Sequence, residues 1–225
     1  MKILSRDQID FIKKNSKKFI NYAFVITKKE EYILEKTKVK FKKFSNKILK
    51  YRYYLNQDED NIILVTNRGE MFFFLKTDLI NQKKFKLKKI NTNIEEIIDK
   101  EYIEDFNVIV KGILIIDQKI YISYINNNNE CYSNAILVGN LNTKKINFSQ
   151  FFKLKECKNR FNLSVGGNLQ KFKNNKILLT VGDYKSYEQV KENKIIEDDP
   201  QNIKSYYGKI LSIDLETKNI DILSM

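Results

Sequence analysis

Histidine is absent from this 225-residue chain, which also has no tryptophan, one proline and seven glycines. Without imidazole, the chain cannot build a Ser-His-Asp or Cys-His catalytic arrangement, or a histidine-ligated zinc site, from its own residues. Any proton transfer would fall to a carboxylate, lysine, tyrosine or cysteine. The missing histidine therefore excludes several common enzyme chemistries.

Cysteine is nearly as scarce, with Cys131 and Cys157 as the two residues of this type. Two thiols are too few for a zinc site made of four thiolates, and the sequence predicts no metal site. The pair could form one disulfide in an oxidising compartment or stay reduced in the cytosol. The residues alone leave both states open.

Long apolar runs are also missing. No stretch of the sequence reaches the 18 or so apolar residues of a membrane span, so none is predicted. The first residues, MKILSRDQIDFIKKNSKK, contain no apolar core of signal-peptide length. The sequence therefore leaves the cellular compartment unknown.

Acidic residues are outnumbered by basic ones, 28 to 41, which gives a net charge of +13. Residues 1–60 hold 14 lysines and two arginines against eight acidic residues. These lysines are scattered, and no nucleic-acid-binding motif accompanies them, which is typical of a solvated surface. We therefore predict no nucleic-acid partner, and the charge is the sole support for a nucleic-acid or membrane-surface function.

What the chain does contain is a succession of short β-type segments. Hydrophobic residues make up 42% and aromatic residues 12% of the sequence, as expected of a globular chain. Apolar residues at helical spacing predict a helix over residues 5–22. Beyond residue 60, apolar strand-like segments separated by turns predict an all-β fold of antiparallel sheets, as in a sandwich or a propeller. The predicted strands cover residues 61–66, 71–76, 112–117, 119–125, 135–141, 176–183, 208–215 and 220–225.

Three of the seven glycines fall in residues 163–183, LSVGGNLQKFKNNKILLTVGD. This stretch, with YGKILSIDLETKNIDIL some 25 residues later, resembles the soluble quinoprotein glucose/sorbosone dehydrogenase family. The resemblance covers residues 110–225 and implies a partial β-propeller of antiparallel blades. The change of pattern after residue 60 predicts a domain boundary there, between a helical or irregular N-terminal basic segment (1–60) and the partial propeller (61–225).

The resemblance assigns roles to individual residues in that stretch. Ser164 stands where the family has its catalytic histidine, and a serine hydroxyl is a weak base near neutral pH. Gly166 and Gly167 match the paired glycines, where the backbone can approach a ligand or bend sharply. Asp183 matches an aspartate that lines the family's substrate pocket, and a turn or Asx cap is the alternative reading.

The family oxidises sugars with pyrroloquinoline quinone and Ca²⁺, and the resemblance implies these two cofactors. Because the histidine is replaced and the family's quinone-binding motif would follow Met225, we expect the chain to bind neither tightly. The sequence thus predicts a fragment or degenerate member of the family that is inactive as this chain. A non-catalytic propeller that binds a carbohydrate or a protein is the alternative.

Two further expectations follow from the resemblance. The family is exported, which implies a disulfide between Cys131 and Cys157. An incomplete propeller would leave blade edges uncovered, so self-association through these edges is also expected.

Overall fold

Strands account for most of the residues that the computed structural model describes, which are 22–26, 31–35, 52–80, 87–98, 109–129, 131–159, 164–173, 175–184 and 200–224. Within these ranges, helix is confined to two short segments, α1 (Lys76–Ile80) and α2 (Ile94–Ile97). The predicted all-β class is therefore confirmed. The chain divides into two units, Met1–Ile48 and Leu49–Met225.

The first unit contains an antiparallel pair of strands, β1 (Tyr22–Ile26) and β2 (Glu31–Glu35). The helix predicted over residues 5–22 lies outside the described residues, except for Tyr22, which begins β1. Where residues 1–60 are described, most of them are in strands. Aromatic and β-branched residues in YAFVI and EYILE favour the extended backbone.

The second unit begins with a five-stranded sheet, sheet 1, whose strand order is β10-β6-β5-β4-β3. The four strands that come first in the chain, β3 to β6, form an antiparallel meander. The two-residue strand β10 comes from later in the chain and pairs parallel with β6. The strands are β3 (Tyr53–Gln57), β4 (Asn61–Thr66), β5 (Met71–Leu75), β6 (Lys88–Thr92) and β10 (Lys145–Ile146).

Sheet 2 is a second antiparallel meander, with strand order β11-β9-β8-β7. A two-residue turn at Asp117 and Gln118, both at positive φ, joins its first two strands in the geometry typical of tight hairpins. The strands are β7 (Val110–Ile116), β8 (Lys119–Asn128), β9 (Cys131–Asn140) and β11 (Phe148–Lys153).

Sheet 3 is a third antiparallel meander, with strand order β12-β13-β14-β15. Its inner face is apolar and joins the buried cluster that runs through all three sheets, with Ile63, Ile120 and Leu211 as members from sheets 1, 2 and 3. The strands are β12 (Gly166–Phe172), β13 (Lys176–Val181), β14 (Lys209–Asp214) and β15 (Ile220–Ser224).

The domain boundary differs from the one predicted at residue 60. The contacts divide the chain between Ile48 and Leu49. Strand β3 pairs with β4 along its whole length, from Tyr53 opposite Thr66 to Gln57 opposite Ile62. Residues 53–57 therefore belong with the sheets that follow them.

The first strands of sheets 1 and 2 lie side by side. The Asn67 carbonyl, beside the start of β3, accepts hydrogen bonds from the Ile109 and Val110 amides at 2.9 and 3.0 Å. Near the far end of β3, the Asn56 Nδ2 donates to the Ile113 carbonyl at 3.2 Å. Because both strands start at the first contact and reach the second, β3 and β7 run in the same direction.

The first strand of sheet 3 also lies against β7. The Asn134 Nδ2 donates to the Val165 carbonyl at 3.0 Å, and Asn134 pairs with Ile125, whose amide bonds to the Ile109 carbonyl. Further along, the Ser123 hydroxyl donates to the Gly167 carbonyl. Strand β12 therefore runs parallel to β7 as well.

This shared direction makes the two ends of the second unit different. Successive strands of an antiparallel meander alternate in direction. In each sheet, the connection between the second and third strands therefore lies at the same end of the unit as the crossover to the next sheet. We call this end the loop end. Tight turns such as that at residues 117–118 lie at the opposite end. The described residues of the connections at the loop end are 67–70, 98, 109, 129, 154–159, 164–165, 182–184 and 200–208.

Candidate functional site

The paired glycines begin β12 where it approaches sheet 2. Gly166 and Gly167 have φ of +69° and +103°, and the pairing with β13 shifts register between Gly166 and Leu169. A Cβ placed on Gly167 would overlap the Lys111 Cβ and lie 2.9 Å from its Cγ. The close approach is therefore made to the neighbouring strand β7, in a β-bulge.

Lys111 is a buried basic residue that the sequence reasoning missed. Its side chain is 6% exposed. Burial and, to a smaller extent, the positive charge of Arg52 together lower the pKa of the Lys111 amine from 10.5 to about 8. A lysine inside the apolar run VKGILII was the available signal.

Ser164 and Asp183, predicted as site residues from the resemblance, lie across from each other at the loop end. The Gly182 amide donates to the Val165 carbonyl at 3.0 Å, and the Tyr184 amide donates to the Ser164 carbonyl at 3.3 Å. Ser164 is exposed and Asp183 is half-buried. The main chain of Ser164 thus helps to join the start of β12 to the end of β13.

Two tyrosines lie behind this pair. The rings of Tyr184 and Tyr207 pack edge to face with centroids 5.1 Å apart, and both residues are buried. The Tyr184 hydroxyl donates to the Asn134 Oδ1 at 3.0 Å. The Lys158 Nζ lies 4.7 Å from the centre of the Tyr207 ring, a cation–π distance. This arrangement connects sheets 2 and 3 at the loop end.

The structure joins Cys131 and Cys157 in a disulfide, with Cα atoms 5.3 Å apart. Cys131 begins β9, and Cys157 lies in the connection that follows β11. Next to the disulfide, Tyr132 and Lys158 exchange backbone hydrogen bonds of 2.7 and 2.9 Å. These links hold the β11–β12 connection against β9.

A cavity of about 370 Å³, which we call the lysine cavity, opens beside the disulfide. Lys158 and Lys204 give it two cationic groups against the single carboxylate of Glu156. A ligand that carries negative charge would be attracted to such a surface, and the basic chain as a whole adds to the attraction. The lining residues are Glu156, Cys157, Lys158, Asn202, Lys204, Ser205 and Tyr207.

Whether the protein could bind the Ca²⁺ implied by the resemblance depends on which side chains are available as metal ligands. Among the residues that the structure describes, no group of three or more histidine, cysteine, aspartate or glutamate side chains could hold a metal ion. Ca²⁺ prefers six to eight oxygen ligands, often from several carboxylates. The described side chains therefore offer no carboxylate cluster for Ca²⁺, and we derive no reaction step through Ca²⁺ or the quinone.

Comparisons with known proteins give no further assignment, because neither a protein-family model nor a curated protein matches this chain. Within the described ranges, none of the helices has the length and apolar character needed to cross a membrane.

Proposed function

We propose that residues 49–225 form three consecutive blades of a β-propeller and serve as a non-catalytic binding module. The supporting observation is that β7 lies beside β3 and β12, and that all three run in the same direction. Propeller blades are four-stranded antiparallel sheets arranged around a central channel. Sheets 2 and 3 are four-stranded antiparallel meanders of this kind, and so is the β3 to β6 part of sheet 1.

The lysine cavity is the proposed ligand site of this module. It lies at the loop end, between two of the connections that join strands. Binding residues are often found on such connections, which the sheets hold in position as a rigid support. Lys158 and Lys204 supply cations, while Asn202 supplies a neutral donor and acceptor. We propose a small anionic ligand with carboxylate or phosphate groups.

Titration calorimetry with citrate as the probe tests this site. Lys204→Ala should weaken citrate binding about tenfold, because it removes one of two cations. Lys144→Ala is the matched control, since it removes the same charge from an exposed lysine in the turn after β9. Equal citrate affinities for the two variants would contradict the proposal, as would the absence of citrate binding to the unaltered protein.

Oxidation of a sugar, the activity of the family that the chain resembles, is the second candidate function. One observation favours it: backbone hydrogen bonds bring the main chain around Ser164 next to the main chain around Asp183. The serine hydroxyl is a poor proton acceptor, so Asp183 would have to act as the base. A carboxylate does so well near neutral pH only when its pKa is raised.

An assay with pyrroloquinoline quinone, Ca²⁺ and a panel of aldoses separates the two functions. We expect no reduction of an electron acceptor above background. If activity appears and Asp183→Asn abolishes it while Ser164→Ala does not, the aspartate is the base and the non-catalytic proposal is wrong.

A further inference from the structure

The disulfide between Cys131 and Cys157 borders the lysine cavity through one of its two residues. Cys157 lines the cavity, and Cys131 is not among the described lining residues. Cys157 is also exposed, whereas Cys131, at the start of β9, is half-buried. A molecule that occupies the lysine cavity therefore meets the disulfide at Cys157.

An exposed disulfide is open to attack by thiols from solution. A disulfide breaks when a thiolate attacks one of its two sulfur atoms, and access to the attacked sulfur helps to set the rate. Exposed disulfides are reduced more easily than buried structural ones, and they are often the regulatory or catalytic ones. Because Cys157 is exposed, the disulfide in this protein belongs to the accessible class.

The charges around Cys157 favour thiols that carry a negative charge. Lys155 and Lys158 lie two residues before and one residue after Cys157 in the sequence. Lys204 lines the same cavity from the connection that follows β13. Among the described lining residues, Glu156 is the one with a carboxylate. The lysines therefore outnumber the acidic group, and their potential raises the concentration of an anion beside the disulfide.

Contacts with the surrounding chain set the positions of the two cations in the lining. The Lys158 Nζ lies 4.7 Å from the centre of the Tyr207 ring. The Lys204 amide donates to the Asn202 Oδ1 at 2.9 Å, and the Ser205 amide donates to the Asn202 carbonyl at 3.1 Å. The cavity volume of about 370 Å³ falls within the range of about 300–1,000 Å³ that is usual for small-molecule sites.

From these features we infer that the lysine cavity binds an anionic low-molecular-weight thiol, which opens the disulfide by attack on Cys157. The ligand sulfur bonds to the Cys157 Sγ, the bond between the two cysteines breaks, and Cys131 leaves as a thiolate that takes up a proton. A second ligand thiol attacks the ligand sulfur of this mixed disulfide, so that Cys157 is released and the two ligand molecules leave as one disulfide. The cysteines gain two electrons and two protons, and the two ligand thiols lose them.

This inference rests on the proposed anion site, and it adds a thiol to the ligand and a reaction to the site. The disulfide ties the β11–β12 connection, which forms one wall of the cavity, to the start of β9. Opening the disulfide therefore loosens the wall of the cavity that holds the thiol.

A matched pair of thiols tests the inference on the unaltered protein. N-acetylcysteine carries one carboxylate, and its amide is the neutral counterpart. Alkylation followed by mass spectrometry measures the rate at which each thiol opens the disulfide. Each rate is divided by the rate of the same thiol with the neutral disulfide of mercaptoethanol, which corrects for the different reactivity of the two thiols.

We expect the corrected rate to be at least about fivefold higher for N-acetylcysteine than for the amide at low salt. The preference should largely disappear at about 1 M salt, because salt screens the lysine charges. Citrate binding without this preference would overturn the inference and leave the anion site in place. The absence of both citrate binding and the preference would overturn the site as well.

Two further measurements locate the reaction. Alkylation during the reaction should leave N-acetylcysteine on Cys157 and the alkyl group on Cys131, and the reverse would contradict attack from the cavity. Lys204→Ala should lower the preference for N-acetylcysteine over its amide about threefold, because one cation is lost. Lys144→Ala, which removes the same charge from an exposed position in the turn after β9, should keep the preference of the unaltered protein. Equal preferences in the two variants would contradict the assignment.

Discussion

At the scale of single residues, Lys111 has a basic side chain in a buried position on β7. Burial destabilises its ammonium form, and Arg52 adds like-charge repulsion. The lowering of its pKa from 10.5 to about 8 corresponds to about 3 kcal/mol against the charged form. Lys111 should therefore make the fold less stable at neutral pH.

Replacing Lys111 with methionine should stabilise the protein by up to about 3 kcal/mol at pH 7. The unfolded state binds the proton more tightly than the folded state, so the cost is fully present below about pH 8. It should disappear as the pH rises towards 10.5. Urea unfolding of both proteins across this range measures the difference, and a gap that does not change with pH would contradict the account.

Gly167 has a different constraint, because the space for a side chain there is taken by the Cβ and Cγ of Lys111 on β7. Gly167→Ala should destabilise the fold by about 2–4 kcal/mol, since φ is +103° and the added Cβ would overlap the Lys111 Cβ. Asn168→Ala, at the exposed next position, is the control and should change the unfolding free energy by less than about 0.5 kcal/mol. Equal effects in urea unfolding would argue against the close approach.

At the scale of secondary-structure elements, the hairpins with strong apolar runs were predictable. Sequence patterns indicated β4 and β5, β7 and β8, and β14 and β15, and the structure pairs them as expected. The sequence did not indicate β6, KKINT, where Ile90 is the one fully buried residue. Nor did it indicate β12, GGNLQKF, whose glycines and polar residues weaken the strand signal. Pairing with neighbours, rather than local propensity, decides such strands.

The candidate site was only partly predictable for the same reason. The resemblance singled out Ser164, Asp183 and the two cysteines. The structure shows Ser164, Asp183 and Cys157 in two connections at the loop end, and Cys131 at the start of β9. The sequence did not indicate Lys158 and Lys204 as site residues, because they are 46 residues apart and come together only in the lining of the lysine cavity. A single sequence carries no signal for such a long-range contact.

The disulfide is the covalent link that fixes the β11–β12 connection, and it closes a separation of 26 residues. Replacing both Cys131 and Cys157 with serine should lower the unfolding free energy by about 3 kcal/mol. Hydrogen exchange at the Tyr132 and Lys158 amides should become faster, because these groups bond to each other beside the disulfide. Reductant should reproduce both effects in the unaltered protein and leave the double variant unchanged. If reductant changes neither the unfolding free energy nor the amide exchange of the unaltered protein, the disulfide is not present.

At the scale of the whole second unit, the direction and the order of the strands account for the position of the lysine cavity. Each sheet alone is a simple antiparallel meander. Their first strands run side by side in one direction, so the described ends of the β11–β12 and β13–β14 connections lie together at the loop end, where they line the lysine cavity. If this arrangement were wrong, the proposed ligand site would not exist as described.

The side-by-side arrangement of β3, β7 and β12 is thus the central claim, and nuclear Overhauser spectroscopy tests it directly. The account predicts cross-peaks between the Gly167 α protons and the Lys111 β protons, and between the Asn56 side-chain amide and residues around Ile113. Cross-peaks within each meander serve as the internal control. A spectrum that shows the meander contacts but lacks both inter-sheet contacts would contradict the account.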